Sequence, residues 1–253
     1  MHAPTTIRRT GLRAVAVGLI GMLALTFSSG RASAFPSACS PHGDGNDAAR
    51  AYVCYLYDLA LHQPFEGEVA YWIDVVNTQG RGYATSTLLS SPESVKSFVD
   101  RAYGAFLLRL GDPAGDRFWS DQILGGARYE TLEAGLAGSD EAYGQFSGGT
   151  NEGYVTYLYQ AVLHRSPSAE EVTYWSGPLN DGSISRGGLA SLFVLSPEST
   201  ALQVALAYGQ YLDRAPDAEG GAYWASVVES KGVLHMLESL IATDESYGRI
   251  TGP

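Results

Sequence analysis

The chain has 253 residues, of which 16 are Lys or Arg, 27 are Asp or Glu and only two are cysteine. That balance excludes a disulfide-dense miniprotein and argues against a basic nucleic-acid binder. At a net charge of −11 it also disfavours docking on phosphate backbones and anionic lipid surfaces.

Residues 1–34 read as a bacterial secretory signal peptide. Arg8, Arg9 and Arg13 precede an apolar run from Ala14 to Phe27, and Ala32-Ser33-Ala34 supplies the small-residue cleavage site. The run is too short for the roughly 20 apolar residues that span a bilayer. Arg8-Arg9 resembles a twin-arginine signal, so export by either the Sec or the twin-arginine route is expected, with a secreted or cell-surface product that holds no stable membrane insertion. Cleavage removes four arginines and no acid, so the mature chain is more acidic still.

Residues 35–46 form an N-terminal tail. In an oxidising compartment Cys39 and Cys54 are expected to pair, clipping this tail to the first helix. Asp44-Gly45-Asn46-Asp47 contains part of a calcium loop but lacks its Gly-then-Glu continuation, and reads as a turn ending in the helix cap Asp47.

From residue 47 onward the sequence repeats. Trp72, Trp119, Trp175 and Trp224 each follow an aromatic residue, namely Tyr71, Phe118, Tyr174 and Tyr223, and mark four units of roughly 50 residues. A turn precedes each pair, as in Arg165-Ser166-Pro167 and Arg214-Ala215-Pro216-Asp217. An acidic start signal follows each: Ser91-Pro92-Glu93, Ser139-Asp140-Glu141, Ser196-Pro197-Glu198 and Thr243-Asp244-Glu245. Tyr52-Val53-Cys54-Tyr55-Leu56-Tyr57 of the first unit matches Tyr154-Val155-Thr156-Tyr157-Leu158-Tyr159 of the third. Ala102-Tyr103-Gly104 of the second matches Ala207-Tyr208-Gly209 of the fourth. The order is therefore A-B-A-B, with blocks at 47–146 and 151–250 joined by a Gly/Ser linker at 147–150.

Each unit predicts three helices. Val95, Phe98, Val99, Ala102, Tyr103, Phe106 and Leu107 recur at the helical period behind the Ser91-Pro92 cap. Asp112, Ser168 with Glu171, and Asp217 cap the second helices, which carry the tryptophans into the core and end near Gly80, Gly125 or Gly232. No alternating strand pattern occurs, so the expected fold is all-α: four tandem three-helix repeats in a duplicated two-repeat block.

The combination Arg-x-Pro-Asp, a glycine three residues after that Asp, Tyr-Trp and Ser-Pro-Glu resembles the bacterial family catalogued as domain of unknown function 4214. It is most complete at Arg214, Pro216, Asp217, Gly220, Tyr223 and Trp224. Units one and two depart from it: Gln63 stands for the Arg and Gly111 for the Pro. The resemblance implies a secreted or surface helical module without an established activity, often joined to calcium-binding Gly/Asp-rich repeats that this chain lacks.

A catalytic constellation usually occurs once, whereas the Arg and Asp of each turn recur, as expected if Arg caps the end of helix one and Asp the start of helix two. His62 and His164 occupy matching positions near helix ends. No zinc motif, Gly-x-Ser-x-Gly or mature-chain Ser-x-x-Lys is present, so no catalytic, cofactor or metal residues are assigned. Tyr55, Tyr57, Tyr157 and Tyr159 lie at the flanks of the apolar helix face and are the candidate ligand contacts. The expected function is non-enzymatic binding or organisation of envelope, matrix or surface polymer, with a polysaccharide or envelope protein as partner. The alternative is a glycan or cell-wall hydrolase using Glu66, Glu68 and Asp74.

Overall fold

The computed structural model describes residues 37–252, so the expected signal peptide lies outside the described residues. Within them are 14 α-helices and no strand. They run α1 (Asp47–Ala60), α2 (Glu66–Gln79), α3 (Arg81–Leu89), α4 (Pro92–Leu107), α5 (Pro113–Leu124), α6 (Tyr129–Ala137) and α7 (Asp140–Phe146). The second half comprises α8 (Asn151–Leu163), α9 (Ala169–Asn180), α10 (Arg186–Val194), α11 (Pro197–Ala207), α12 (Ala218–Lys231), α13 (Val233–Ile241) and α14 (Asp244–Thr251). A π-helical turn, Tyr208–Leu212, extends α11. No single helix among the described residues is long and apolar enough to cross a membrane.

Local chemistry sets the helix starts. Asp112 accepts from the Ala114 and Gly115 amides, Ser168 from Glu171, and Asp217 from Gly220, each satisfying donors that the first turn leaves open. Ser91, Ser139, Ser196 and Thr243 cap α4, α7, α11 and α14 in the same way. Asp47 is the first residue of α1 rather than its cap. Its carboxylate instead accepts from the His42 and Gly43 amides and folds the tail back over the helix start.

Cys39 and Cys54 form a disulfide. Arg50 pins the same tail: its Nη1 donates to the Ala38 carbonyl at 2.8 Å and to Glu66 Oε1 at 2.9 Å, and the side chain is buried.

Three-helix groups pack in sequence, α1 with α2 and α3, α4 with α5 and α6, α8 with α9 and α10, and α11 with α12 and α13. The short helices α7 and α14 lie between groups. α7 joins the second group to the third by packing on α8, while α6 packs against α10. At the far end of the chain α14 packs on α1 and α13 on α3, so the last group returns to the first and the chain closes on itself.

The two joints are built alike. At the first, Tyr154 is fully buried, with its hydroxyl 3.1 Å from the Ala137 carbonyl and 3.0 Å from that of Arg186. Arg186 pairs with Asp140 and lies 4.3 Å from the ring centre of Tyr143. At the second, Tyr52 is fully buried, with its hydroxyl 2.6 Å from Thr85 Oγ1 and 3.4 Å from the Ile241 carbonyl. Arg81 pairs with Asp244 and lies 4.4 Å from the centre of Tyr247. Residues 147–150 form a tight turn rather than a flexible tether. Ser147 is buried, Gly148 and Gly149 adopt positive φ, and the Thr150 hydroxyl caps α8.

Candidate functional site

The recurring polar motif ties the turn after the first helix of a group to the start of a helix further along the chain. In the second group, Arg109 lies 4.8 Å from the ring centre of Tyr103 and grips Glu141 with two bonds of 2.5 and 2.8 Å. In the third, Arg165 covers Tyr159 at 4.6 Å and pairs with Glu198 at 2.5 and 3.1 Å and with Glu171 at 2.7 and 3.0 Å. In the fourth, Arg214 covers Tyr208 at 5.0 Å and binds Glu245 at 2.6 and 2.9 Å. Each tyrosine keeps its hydroxyl beside the tryptophan of its own group, Tyr103 with Trp119, Tyr159 with Trp175 and Tyr208 with Trp224.

These arginines therefore do not cap helix one, contrary to the sequence expectation. They stack on a tyrosine and reach across to the glutamate in the first turn of α7, α11 or α14, a planar fork-to-carboxylate match that a cap geometry does not offer. The paired arginines hold Glu141 and Glu245 below the usual carboxylate range. Arg165, followed by the Ser168 amide, draws Glu171 down to about 2. Carboxylates held ionised this firmly suit structural pairing and are poor proton donors at neutral pH.

The first group departs instructively. Helix one ends in a left-handed residue, Leu108, His164 or Asp213, in the other three groups, but the first group lacks that residue. His62 thus moves into the place of the arginine, and His164 is not its counterpart. The His62 ring meets Tyr57 edge-on at 5.6 Å, with Nδ1 2.9 Å from Glu93 and Nε2 3.1 Å from Glu68. Glu68, which also accepts from the Phe65 amide, corresponds to Glu171, and Glu66 is committed to Arg50. Two of the three carboxylates considered for a hydrolase are therefore already engaged.

The Glu93 and Glu68 carboxylates raise the His62 pKa above its ordinary value of 6.5. A group whose pKa is higher folded than unfolded stabilises the fold fully below the unfolded value, and that contribution disappears as pH rises through the folded value. The joint between the first two groups is expected to weaken from just above pH 6.5 upward. Hydrogen exchange across α1 and α4 as a function of pH checks this, with His62→Ala removing the dependence.

The four tyrosines expected to meet a ligand lie in or against the core. Tyr57, Tyr157 and Tyr159 are buried, and Tyr55 is half-buried against the core. Tyr157 stacks on Phe146 at 5.0 Å and bonds the Phe106 carbonyl, while Tyr159 meets Phe193 edge-on at 4.9 Å. The tryptophans, expected in the core, are half-buried and packed against it. The aromatic residues before them are exposed: Tyr71 by 61%, Phe118 by 54%, Tyr174 by 70% and Tyr223 by 59%. Each rests edge-on against its tryptophan at 4.9 to 5.2 Å.

A cavity of about 260 Å³ lies where the loop before α6 and the α6 start meet the end of α12 and the α13 start. Val95, Ile123, Leu124 and Leu234 supply apolar wall, and Arg128, Glu130, His235 and Glu238 supply charge. Arg128 donates to Glu130 at 2.9 Å and to the Val228 carbonyl at 2.7 Å, and Glu130 accepts from the Val233 amide. Burial pushes the Glu238 carboxyl up. Burial and then the neighbouring Lys231 pull His235 down. No group of three or more His, Cys, Asp or Glu among the described residues is arranged to hold a metal ion.

Two stretches, residues 87–146 and 134–203, match the family described as Domain of unknown function (DUF4214). Over residues 87–203 the chain is similar to this family. Each DUF4214 match includes one complete corner, Arg109 with Glu141 in the first and Arg165 with Glu198 in the second, and the two matches overlap on α7. No curated protein and no solved structure matches the chain.

Proposed function

We propose that the chain is an exported, non-enzymatic binding protein that holds an extracellular envelope or matrix polymer. The observation that carries this reading is the set of exposed aromatic rings Tyr71, Phe118, Tyr174 and Tyr223, one on each helix group and each supported by a tryptophan. The recurrent charged residues of the motif are occupied in pairs, which leaves these rings as the recurrent feature that faces solvent. Rings held at fixed positions on a closed body cost little conformational entropy on binding, and several weak contacts to a repetitive polymer combine into avidity. The acidic surface favours an uncharged polymer, a polysaccharide among them, over an anionic one.

We further read the four groups as an A-B-A-B duplication. The matching contacts around Tyr52 and Tyr154, and around Arg81 and Arg186, support it.

The test is retention of the oxidised chain on envelope and extracellular polymer from its own source. Changing Tyr71, Phe118, Tyr174 and Tyr223 together to alanine is expected to abolish saturable retention while leaving the helical circular dichroism unchanged. Unaltered retention by that variant overturns the role of the rings. Progressive release of glycan or peptide fragments overturns binding in favour of hydrolysis.

A further inference from the structure

We propose that the cavity between the second and fourth helix groups binds a small organic amine, with its ammonium on Glu238 and its apolar stem along Val95, Ile123, Leu124 and Leu234. The repeat does not demand this polar set. Aligning the first residues of α6 and α13, Tyr129 with Val233, places Thr131 opposite His235 and Ala134 opposite Glu238, so the equivalent helix carries neither group.

Glu130 is paired with Arg128, although its Oε2 and the Arg128 Nε have no hydrogen-bond partner, whereas Glu238 has no arginine or lysine partner among the described residues. Its side chain is 12% exposed, and its one hydrogen bond comes from the Ser90 hydroxyl at 2.8 Å. His235 Nδ1 stands 4.0 Å away, and no arginine or lysine among the described residues reaches it within ion-pairing distance. The nearby cations are committed elsewhere. Arg128 serves Glu130 and the carbonyls of Val228 and Glu229, and the Lys231 ammonium sits 3.4 Å from His235 Nε2 at the solvent edge. A buried carboxylate without a cation is costly, and an ammonium brought to it regains a charge-assisted hydrogen bond.

Size and field agree with this class. The 260 Å³ volume falls below the about 300 Å³ at which pockets for drug-sized molecules begin, so it suits a short stem rather than a fused ring system. The chain's net charge of −11 draws cations toward its surface.

Pentylamine, pentanol and pentanoate share a stem and differ in the head group, so titration of each into the full oxidised chain by calorimetry separates charge from fit. Saturable binding of pentylamine, at least roughly tenfold tighter than either control, is the expected result. Glu238→Gln keeps the side-chain volume and an acceptor for Ser90, and is expected to weaken pentylamine binding at least roughly tenfold. Leu234→Trp fills the cavity without touching any charge and is expected to abolish binding. Pentanol binding as tightly as pentylamine, absence of pentylamine binding, or binding undiminished in the folded Glu238→Gln or Leu234→Trp chain overturns the proposal.

Discussion

Replacing Tyr154 by alanine should cost about 3–5 kcal/mol of unfolding free energy, and replacing Tyr52 should cost nearly the same. Both rings are fully buried, and each plugs a joint between helix groups. Tyr154 lies 5.7 Å from the ring of Tyr143 on α7, and Tyr52 lies 5.2 Å from Tyr247 on α14. The phenylalanine variants separate the two contributions. Tyr154→Phe keeps the ring and deletes the hydroxyl that serves the Ala137 and Arg186 carbonyls, an effect of about 1–3 kcal/mol when a buried acceptor is left open. Tyr52→Phe strips a bond from the buried Thr85 hydroxyl, which retains the Arg81 carbonyl as acceptor, so its loss should fall toward the lower end of that range. Denaturant unfolding of the four variants at constant m decides the matter. A large loss for Tyr154→Ala beside a negligible one for Tyr52→Ala would mean that the joint between the two ends of the chain stays open in solution.

That joint also marks the boundary of what the sequence makes legible. Helix starts are local affairs, and Asp112, Ser168 and Asp217 cap where their spacing predicts. The disulfide is legible from composition, because the chain has only two cysteines to pair. The partner of each turn arginine is not, because it lies 31 to 33 residues downstream. The signal is nevertheless present: Glu93, Glu141, Glu198 and Glu245 recur in all four units and meet His62 in the first and an arginine in the other three. Burial of Tyr57, Tyr157 and Tyr159 escaped the helical wheel for a different reason. A wheel assigns one wet face, whereas α8 is covered by α7, α9, α10 and α11 and buries eight of its 13 residues, including three tyrosines. The cavity charges were invisible because Arg128 and Glu130 come from one group and His235 and Glu238 from another, about 100 residues along the chain.

Ending the chain after Thr243 should destabilise its first helices more than the helix immediately upstream of the cut. Helix α14 has little apolar content of its own, but it presents Asp244 to Arg81, the Tyr247 ring to both Arg81 and Tyr52, and Glu245 to Arg214. Without it Arg81 loses both its carboxylate and the ring beneath it, and one side of the Tyr52 ring is uncovered. The arginine pairs are partly exposed and each contributes little alone, so the larger share of the effect comes from uncovering Tyr52 and the packed α1 surface. The expected loss is a sizeable fraction of the about 5–15 kcal/mol that holds a typical domain together. Native-state hydrogen exchange reads the location directly: amides of α1 and α3 should lose protection although more than 150 residues separate them from the deletion, while those of α8 and α10, whose joint is supplied by α7, should keep theirs. Loss confined to α13 would show that the chain behaves as an open array. Loss in α1 and α3 would show that closure, and not the run of helices by itself, holds the exposed rings Tyr71 and Tyr223 at fixed separation for a polymer to bridge.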